Sequence, residues 1–334
     1  MGLISRGLPV VAPELQNQPS SRVNIEAGAA PLVTVITIFL NADRFIREAI
    51  ESVLAQDFTN FELILVDDGS SDGSSAFARG YAERFPEKIS YLEHENHDNK
   101  GMSASRNLGI RHSRGAYITF CDADDAWMPG KLSEQLEIFR IYPELGMVCS
   151  AANYWRSWMG GDDQVVLSGH VQNIPLRPPA ACLAVDPLGG AVAPCNDLLV
   201  RRDVILQVGG FEDHFTGMYE DQAFLAKVYL ATPVYFSSQV SLNYRRHPNS
   251  CMAVAERGGH YDAARRHFLE WLAEYVRALP APRPVGVEAA IRRALMAYRH
   301  PWLYFFLTFP TRGAGRIRRE LQFAWSALTR SLPW

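Results

Sequence analysis

The sequence predicts an α/β protein. It should hold a mixed, mainly parallel sheet flanked by helices, followed by a helical C-terminal extension. Three observations carry this expectation. Apolar β-branched runs of strand length alternate with amphipathic helical stretches. Two of those runs stop abruptly in acidic, turn-forming residues. From His260 onward the pattern is helical.

The elements follow in order. Residues 1 to about 30 are rich in Pro, Ser, Asn and Gln without periodicity and read as a mobile tail. Leu32 to Phe39 is apolar and β-branched, which suits a strand covered on both faces. Asp43 to Gln56 places Phe45, Ile46, Ala49, Ile50, Val53 and Leu54 on one helical stripe. Phe61 to Val66 is a second buried strand, and it ends in Asp67-Asp68-Gly69-Ser70-Ser71-Asp72-Gly73. A helix to about Phe85, a strand near Ile89 to Leu92, a helix over Met102 to His112 and a strand over Ala116 to Cys121 come next. That strand ends in Asp122-Ala123-Asp124-Asp125, and Pro129 opens another helix. Residues 150 to 200 read as long loops with some antiparallel strand. Helices are expected over Asp203 to Val208 and Gln222 to Tyr229, and a strand over Val234 to Tyr244.

Bulk properties narrow the function. The 334 residues are 48% hydrophobic and 21% charged, which is globular composition. A net charge of -3 argues against a nucleic-acid partner. Five scattered cysteines without a Cys-x-x-Cys pair suit a reducing cytoplasm and argue against zinc. No apolar run has the length of a bilayer span, roughly 18 residues. Dinucleotide oxidoreduction fits poorly, because no Gly-x-Gly-x-x-Gly follows the first strand.

The acidic turns carry the chemistry. Asp122-x-Asp124 puts two carboxylates in one turn at a strand end, where parallel sheets bind ligands. Clustered carboxylates repel unless a cation neutralises them. A hard divalent ion, Mn²⁺ or Mg²⁺, suits oxygen ligands and completes its shell with substrate phosphates and water. That implies a diphosphate ligand. The plain alternative is a solvated turn and helix cap. The second acidic turn, Asp67-Asp68, weighs against that alternative.

Several motifs occur in order. They are VTVITIFLN with a helix ending SVLAQ, then ELILVDDGSSDGS, NKGMSASRNLGI and GAYITFCDADDAW, then VGGF, YEDQ and YRRHPNS. Together they resemble the family 2 inverting glycosyltransferases, over roughly Pro31 to Ser250. The resemblance implies the GT-A fold, the Rossmann-like nucleotide-diphospho-sugar transferase architecture. It implies a domain over residues 31–255, between the tail at 1–30 and a helical basic and aromatic extension at 256–334. Many members have Pro-x-Tyr-Asn after the first strand. Here Ile38-Phe39-Leu40-Asn41 stands in its place, which bears on the shape of the base pocket.

The resemblance also implies roles. Asp68 hydrogen-bonds the nucleotide base, commonly uracil, while Thr37, Phe39 and Asn41 belong to the donor site. Asp122 and Ala123 lie at the ribose or diphosphate, Asp124 at the metal, with His247 completing the metal site. Lys100 and Arg106 offer cations to the diphosphate, with bracing of the acidic loops the alternative for Arg106. Glu220 and Asp221 match the family's base motif, with Asp221 taking the proton from the acceptor hydroxyl. The implied partners are a nucleotide-diphospho-sugar donor, with uridine the usual base, and a saccharide or lipid-linked acceptor. Two other functions compete. One is a phosphotransferase or phosphatase with Asp122 as nucleophile. The other is a non-catalytic nucleotide-sugar or glycan-binding module.

From Ile291 to the end, arginines interleave with Trp302, Tyr304, Phe305, Phe306 and Phe309. Such a segment fits peripheral membrane contact through residues 291–334, at the cytoplasmic face. Packing of its aromatics on the catalytic domain or a second subunit is the alternative.

Overall fold

The computed structural model describes residues 30–193 and 197–300. The proposed tail at 1–30 lies almost wholly outside the described residues, as does the basic and aromatic stretch beyond His300. The first half of the chain alternates strand and helix: β1 (Val33–Phe39), α1 (Ile46–Leu54), β2 (Phe61–Asp67), α2 (Ser74–Arg84), β3 (Ile89–Glu93), α3 (Met102–His112) and β4 (Tyr117–Phe120). A two-residue strand β5 (Ala126–Trp127), helix α4 (Lys131–Ile141) and the long strand β6 (Met147–Trp155) follow. Then come β7 (Gln164–Val166), β8 (Pro175–Leu176), α5 (Ala180–Ala184), β9 (Leu198–Arg201) and α6 (Arg202–Val208). The chain continues through α7 (Glu220–Ala231), β10 (Val234–Arg245), α8 (Cys251–Arg257), α9 (Tyr261–Ala278) and α10 (Val287–Arg299).

The main sheet runs β3-β2-β1-β4-β9-β6-β10-β5. Strands β3, β2, β1 and β4 are mutually parallel, and β6 pairs parallel with β10. Strand β9 joins the two blocks by pairing antiparallel with both β4 and β6. The chain steps from β1 outward to β2 and β3, then returns to the other side of β1 with β4. That reversal opens a crevice beyond the carboxyl ends of β1, β2 and β4, the usual ligand position in such sheets. Asn41, Asp68 and Asp122 stand one or two residues past those ends.

Core alternation follows the strand period. Val33 and Val35 of β1 face α1 and α2, in a cluster with Ile46, Ile50 and Val53. Ile36 and Ile38 face the opposite way, in a cluster with Ile110 of α3 and Phe224 of α7. Gly109 of α3 lets that helix approach β1 closely, since a Cβ there would lie 2.6 Å from Ile36 Cγ2. The same cluster holds Phe268, Leu269 and Leu272 of α9 and Ile291 and Leu295 of α10. Helices α9 and α10 therefore share the core of α7. The expected boundary at 255/256 falls inside α8.

Residues 150–200 are more ordered than their composition predicts. Strand β6 runs through the sheet centre with Met147 to Ala152 buried on both faces. Its Ser150, Ala151 and Ala152 have little strand preference, so no alternation marks it. Helix α8 also lacks a sequence signal.

A buried polar hub ties helix α4 and strand β10 to the residue that precedes β9. Asp197 accepts from Lys131 Nζ at 2.6 Å, Gln135 Nε2 at 3.0 Å and Ser241 Oγ at 2.7 Å. Lys131 and Asp197 are both buried. Asp197→Ala leaves the Lys131 ammonium in the core with Gln135 Oε1 alone, 3.1 Å away. We expect a loss of about 3–5 kcal/mol, measured by urea unfolding. A loss below about 1 kcal/mol would show that the hub is dispensable.

Candidate active site

The loops after β1 and β2 are latched together. Asn41 takes a left-handed backbone, φ 51°, which Asn tolerates better than most residues. Its N–H donates to Ser70 Oγ at 3.0 Å, and its Oδ1 accepts from the Ser71 N–H at 2.8 Å. Asp67 closes the β2 turn by accepting from the Ser70 N–H and from the Tyr91 hydroxyl. Gly69 sits at φ +87°, and a Cβ there would lie 2.8 Å from the His97 carbonyl oxygen. The turn thus needs glycine for both conformation and space.

Asp68 is buried and points into the crevice. Its carboxylate accepts from the backbone N–H of Lys100 at 2.8 Å and of Gly101 at 3.1 Å, and from Ser105 Oγ at 3.0 Å. It thereby pins the start of α3 to the end of β2.

The third loop follows β4. Asp122, Asp124 and Asp125 bring carboxylate oxygens within 4.8 Å of one another. Asp125 turns inward. Its Oδ1 accepts the Arg245 N–H at 2.8 Å, while Oδ2 is buried without a hydrogen-bond partner. Burial, with Asp124 and Asp122 alongside, pushes the Asp125 carboxyl well above the usual carboxylate range. Arg245 also donates from Nε to the Asp124 carbonyl at 2.6 Å and reaches Glu48 at 2.5 Å. Its guanidinium lies 4.2 Å from the Trp155 ring centre and 5.0 Å from that of Trp158. His247, two residues on, places Nε2 3.0 Å from Asp124 Oδ2.

Asp124 remains one-third exposed and Asp122 one-quarter exposed. Both carboxylates therefore face solvent at the crevice. An all-oxygen cluster with a neighbouring imidazole fits a hard divalent ion. The buried Asp125 Oδ2, without a hydrogen-bond partner, lies in the same turn.

Helix α7 brings the remaining acids. The Arg106 side chain is buried and donates from Nη1 to Glu220 Oε1 at 2.5 Å and from Nη2 to Asp122 Oδ1 at 3.1 Å. Burial works against its charge, but Glu220 and Asp122 overcome this and raise its pKa. Glu220 is pushed up to about 7 by burial, against the opposing pull of Arg106. Asp221 is also raised, again by burial first and with Arg106 opposing. Its Oδ1 accepts the Gln222 N–H at 2.7 Å.

Two adjoining clefts result. The larger, about 1030 Å³, is lined by Phe39, Asn41, Asp68, Asp122, Ala123, Asp124 and His247. The smaller, about 350 Å³, is lined by Arg106, Asp122, Glu220 and Asp221, with Tyr154 and Tyr244. Asp122, Met102, Tyr244 and Cys251 border both.

Most of the sequence-derived residues are thus brought together, with two exceptions, Thr37 and the Lys100 side chain, while Arg106 joins the site in a bracing position. Thr37 is fully buried within β1, borders neither cleft, and has no hydrogen bond on its hydroxyl. Lys100 turns its ammonium outward to Asp98 at 2.9 Å, and only its backbone N–H serves the site. Arg106 is spent on Glu220 and Asp122, which is bracing and not an open cation. Arg245, Glu48, Tyr154 and Tyr244 were missed. The motif YRRHPNS held two of them, Tyr244 and Arg245, but a buried arginine looks like a surface one in sequence.

Residues 34–158 match the family model described as Glycosyl transferase family 2. Over that stretch the resemblance read from the motifs is borne out. Over 122 residues the chain is 39% identical to the putative glycosyltransferase EpsE of Bacillus subtilis, covering 36% of this chain and 43% of that protein. Over 109 residues it is 40% identical to the putative teichuronic acid biosynthesis glycosyltransferase TuaG of the same organism, covering 32% and 41%. The matched segments therefore span less than half the length of either relative.

Solved structures agree on the fold. S. aureus TarS 1-349 in complex with UDP-GlcNAc superposes with a TM-score of 0.59 at 17% identity, over 86% of this chain and 78% of that one. Mannosyltransferase PcManGT from Pyrobaculum calidifontis, in complex with GDP-Man and Mn²⁺, gives 0.55 at 20% identity, over 92% and 83%. The architecture is GT-A, as expected.

The raised Glu220 pKa has a consequence for stability. The folded protein holds this proton more tightly than the unfolded chain, whose ordinary value is 4.5. The stabilisation is complete below that value and is lost as pH rises through about 7. Unfolding of wild type and Glu220→Gln should be compared from about pH 4 to about pH 8. Relative stability should move in favour of the variant as pH rises. A gap that does not vary with pH would contradict the assignment.

Proposed function

We propose that this protein is a metal-dependent, inverting glycosyltransferase. It moves a sugar from a nucleotide-diphosphate donor, with uridine the favoured base, to a hydroxyl of a saccharide or lipid-linked acceptor. One observation carries this: carboxylates from three distant chain regions converge on two clefts that share Asp122. The larger cleft has room for a sugar nucleotide, and the smaller holds the acids suited to proton transfer. The complexes of TarS with UDP-GlcNAc and of PcManGT with GDP-Man and Mn²⁺ support the donor class.

The residues divide the work. Asp68, Phe39 and Asn41 form the base end of the larger cleft. Asp122 and Asp124, with His247 beside them, hold Mn²⁺ or Mg²⁺. When bound, that ion offsets charge growing on the departing diphosphate. Asp221 takes the proton from the acceptor hydroxyl as it attacks the anomeric carbon opposite the leaving group. Its raised pKa makes it a better proton acceptor than an ordinary aspartate. Glu220 is tied to Arg106 and positions Asp221 at the start of α7. The anomeric carbon gains cationic character in the transition state, which a carboxylate-lined cleft favours.

The phosphotransferase alternative draws no support. It needs a lysine paired with the acidic site, yet Lys227 Nζ binds Glu212 at 2.7 Å. Membrane contact through residues 291–334 falls mostly outside the described residues. Among the described residues no helix is long and apolar enough to cross a membrane.

Two measurements test the proposal. UDP with Mn²⁺ should raise the melting temperature more than either alone, and Asp124→Ala should remove the metal-dependent part. A shift indifferent to metal would refute the metal site. Asp221→Asn should lower turnover about 10²–10⁴-fold while UDP affinity stays unchanged. Retained turnover would remove Asp221 as base.

A further inference from the structure

The smaller cleft extends past Glu220 and Asp221 to a wall that neither proton transfer nor donor binding uses. That wall holds Asp186, from the loop after α5, and Tyr261, from the first turn of α9. The loop is closed on itself. The Asp186 N–H donates to the Ala191 carbonyl at 2.7 Å, and the Ala191 N–H donates to the Ala184 carbonyl at 3.2 Å. The N–H groups of Leu188 and Gly189 both donate to the Val185 carbonyl. Arg265 of α9 clamps the loop from outside, with Nη2 3.2 Å from the Pro187 carbonyl oxygen. The backbone under Asp186 is thus fixed.

Its carboxylate is treated differently. Among the described residues it accepts no hydrogen bond, although it is half-buried in the cleft wall. Burial raises its pKa, with Arg265 opposing. A carboxylate in such a place needs donors, and the open side of the cleft is where they can come from. Around it stand aromatic rings. Tyr219 and Tyr261 are joined through their hydroxyls at 3.1 Å, and Tyr154 and Tyr244 pack with ring centres 5.3 Å apart. A carboxylate beside aromatic faces matches a sugar ring, which offers hydroxyl donors at its edge and C–H groups on its faces.

We propose that Asp186 determines acceptor specificity, accepting hydrogen bonds from hydroxyls of a neutral saccharide that lies between the tyrosines of the smaller cleft and the base. This rests on the glycosyltransferase assignment and names the acceptor class for it. Charge favours a neutral sugar over an anionic one. The cleft is lined by four acids, Asp122, Asp186, Glu220 and Asp221, against two arginines, Arg106 and Arg246. Arg106 is already committed to Glu220 and Asp122.

The test uses the full chain and methyl glycosides of glucose, galactose, mannose and N-acetylglucosamine as probes. Binding is read by saturation-transfer NMR, with and without UDP and Mn²⁺, for wild type, Asp186→Asn and Asp186→Glu. Wild type should bind at least one glycoside. Asp186→Asn should weaken that binding about tenfold, as expected for a lost charged hydrogen bond. Asp186→Glu, which keeps the charge but shifts it by one methylene, should give a smaller loss. UDP affinity in the presence of Mn²⁺ should be the same in all three, which also reports that each variant is folded. Equal glycoside affinity in a folded variant would overturn the proposal, as would a wild type that binds none of the probes. Failure of UDP to bind wild type would instead strike at the donor assignment and leave the glycoside result readable on its own.

Discussion

The site depends on one guanidinium. Arg106 reaches from the middle of α3 to Glu220 at the start of α7 and to Asp122 at the end of β4. Without it, several carboxylates would stand together in a half-buried crevice, and their repulsion would drive the loops apart. With it, the two clefts are held at a fixed separation, sharing Asp122 as a common wall. An ion pair this buried contributes little net stability, but removing one partner would strand the other in low dielectric. Arg106 therefore acts as a registration device between two halves of the fold. Its position follows from the close approach of α3 to β1, which Gly109 permits.

A second arginine does a parallel job at the opposite rim. Arg245 ends β10 and ties the Asp124 and Asp125 turn to Glu48 of α1. The strand order explains why both ties are needed. The acidic turns grow from the parallel block, whereas His247 and α7 belong to the block beyond the antiparallel strand β9. Side-chain bridges across the crevice, together with the pairing of β5 on β10, fix one block against the other at the level of the clefts. The Asp197 hub performs the same service deeper in the molecule.

Much of this was legible in sequence, for identifiable reasons. Strand ends followed by acidic turns mark the crevice of a parallel sheet, so Asp68, Asp122 and Asp124 were found from local pattern alone. Helix α3 was found to the residue, because Gly101 and the following small polar residues define its start. The failures concern orientation. Lys100 precedes a helix whether its ammonium turns in or out, and sequence does not distinguish these. Thr37 stands two residues short of the strand end, deep enough to be core. Strand β6 was missed because its central residues are small, and its burial comes from neighbours far away in the chain. Asp186 had no signal, since its place in the cleft depends on how α9 clamps a loop eighty residues earlier.

The family match stops at Trp158, before the smaller cleft is complete. Asp186, Glu220, Asp221, His247 and Tyr261 all lie beyond it. The matched segment therefore carries the acids at the strand tips, and the chain beyond it supplies His247 and the acids of α7, with a wall from a helix outside the sheet. Such a division places the two walls of the smaller cleft on separate stretches of chain. A lineage can exchange the loop after α5 and the face of α9 while the carboxylates at the strand tips stay in place. A change in those two pieces, more than in the strands, would reshape the smaller cleft while leaving the larger one intact.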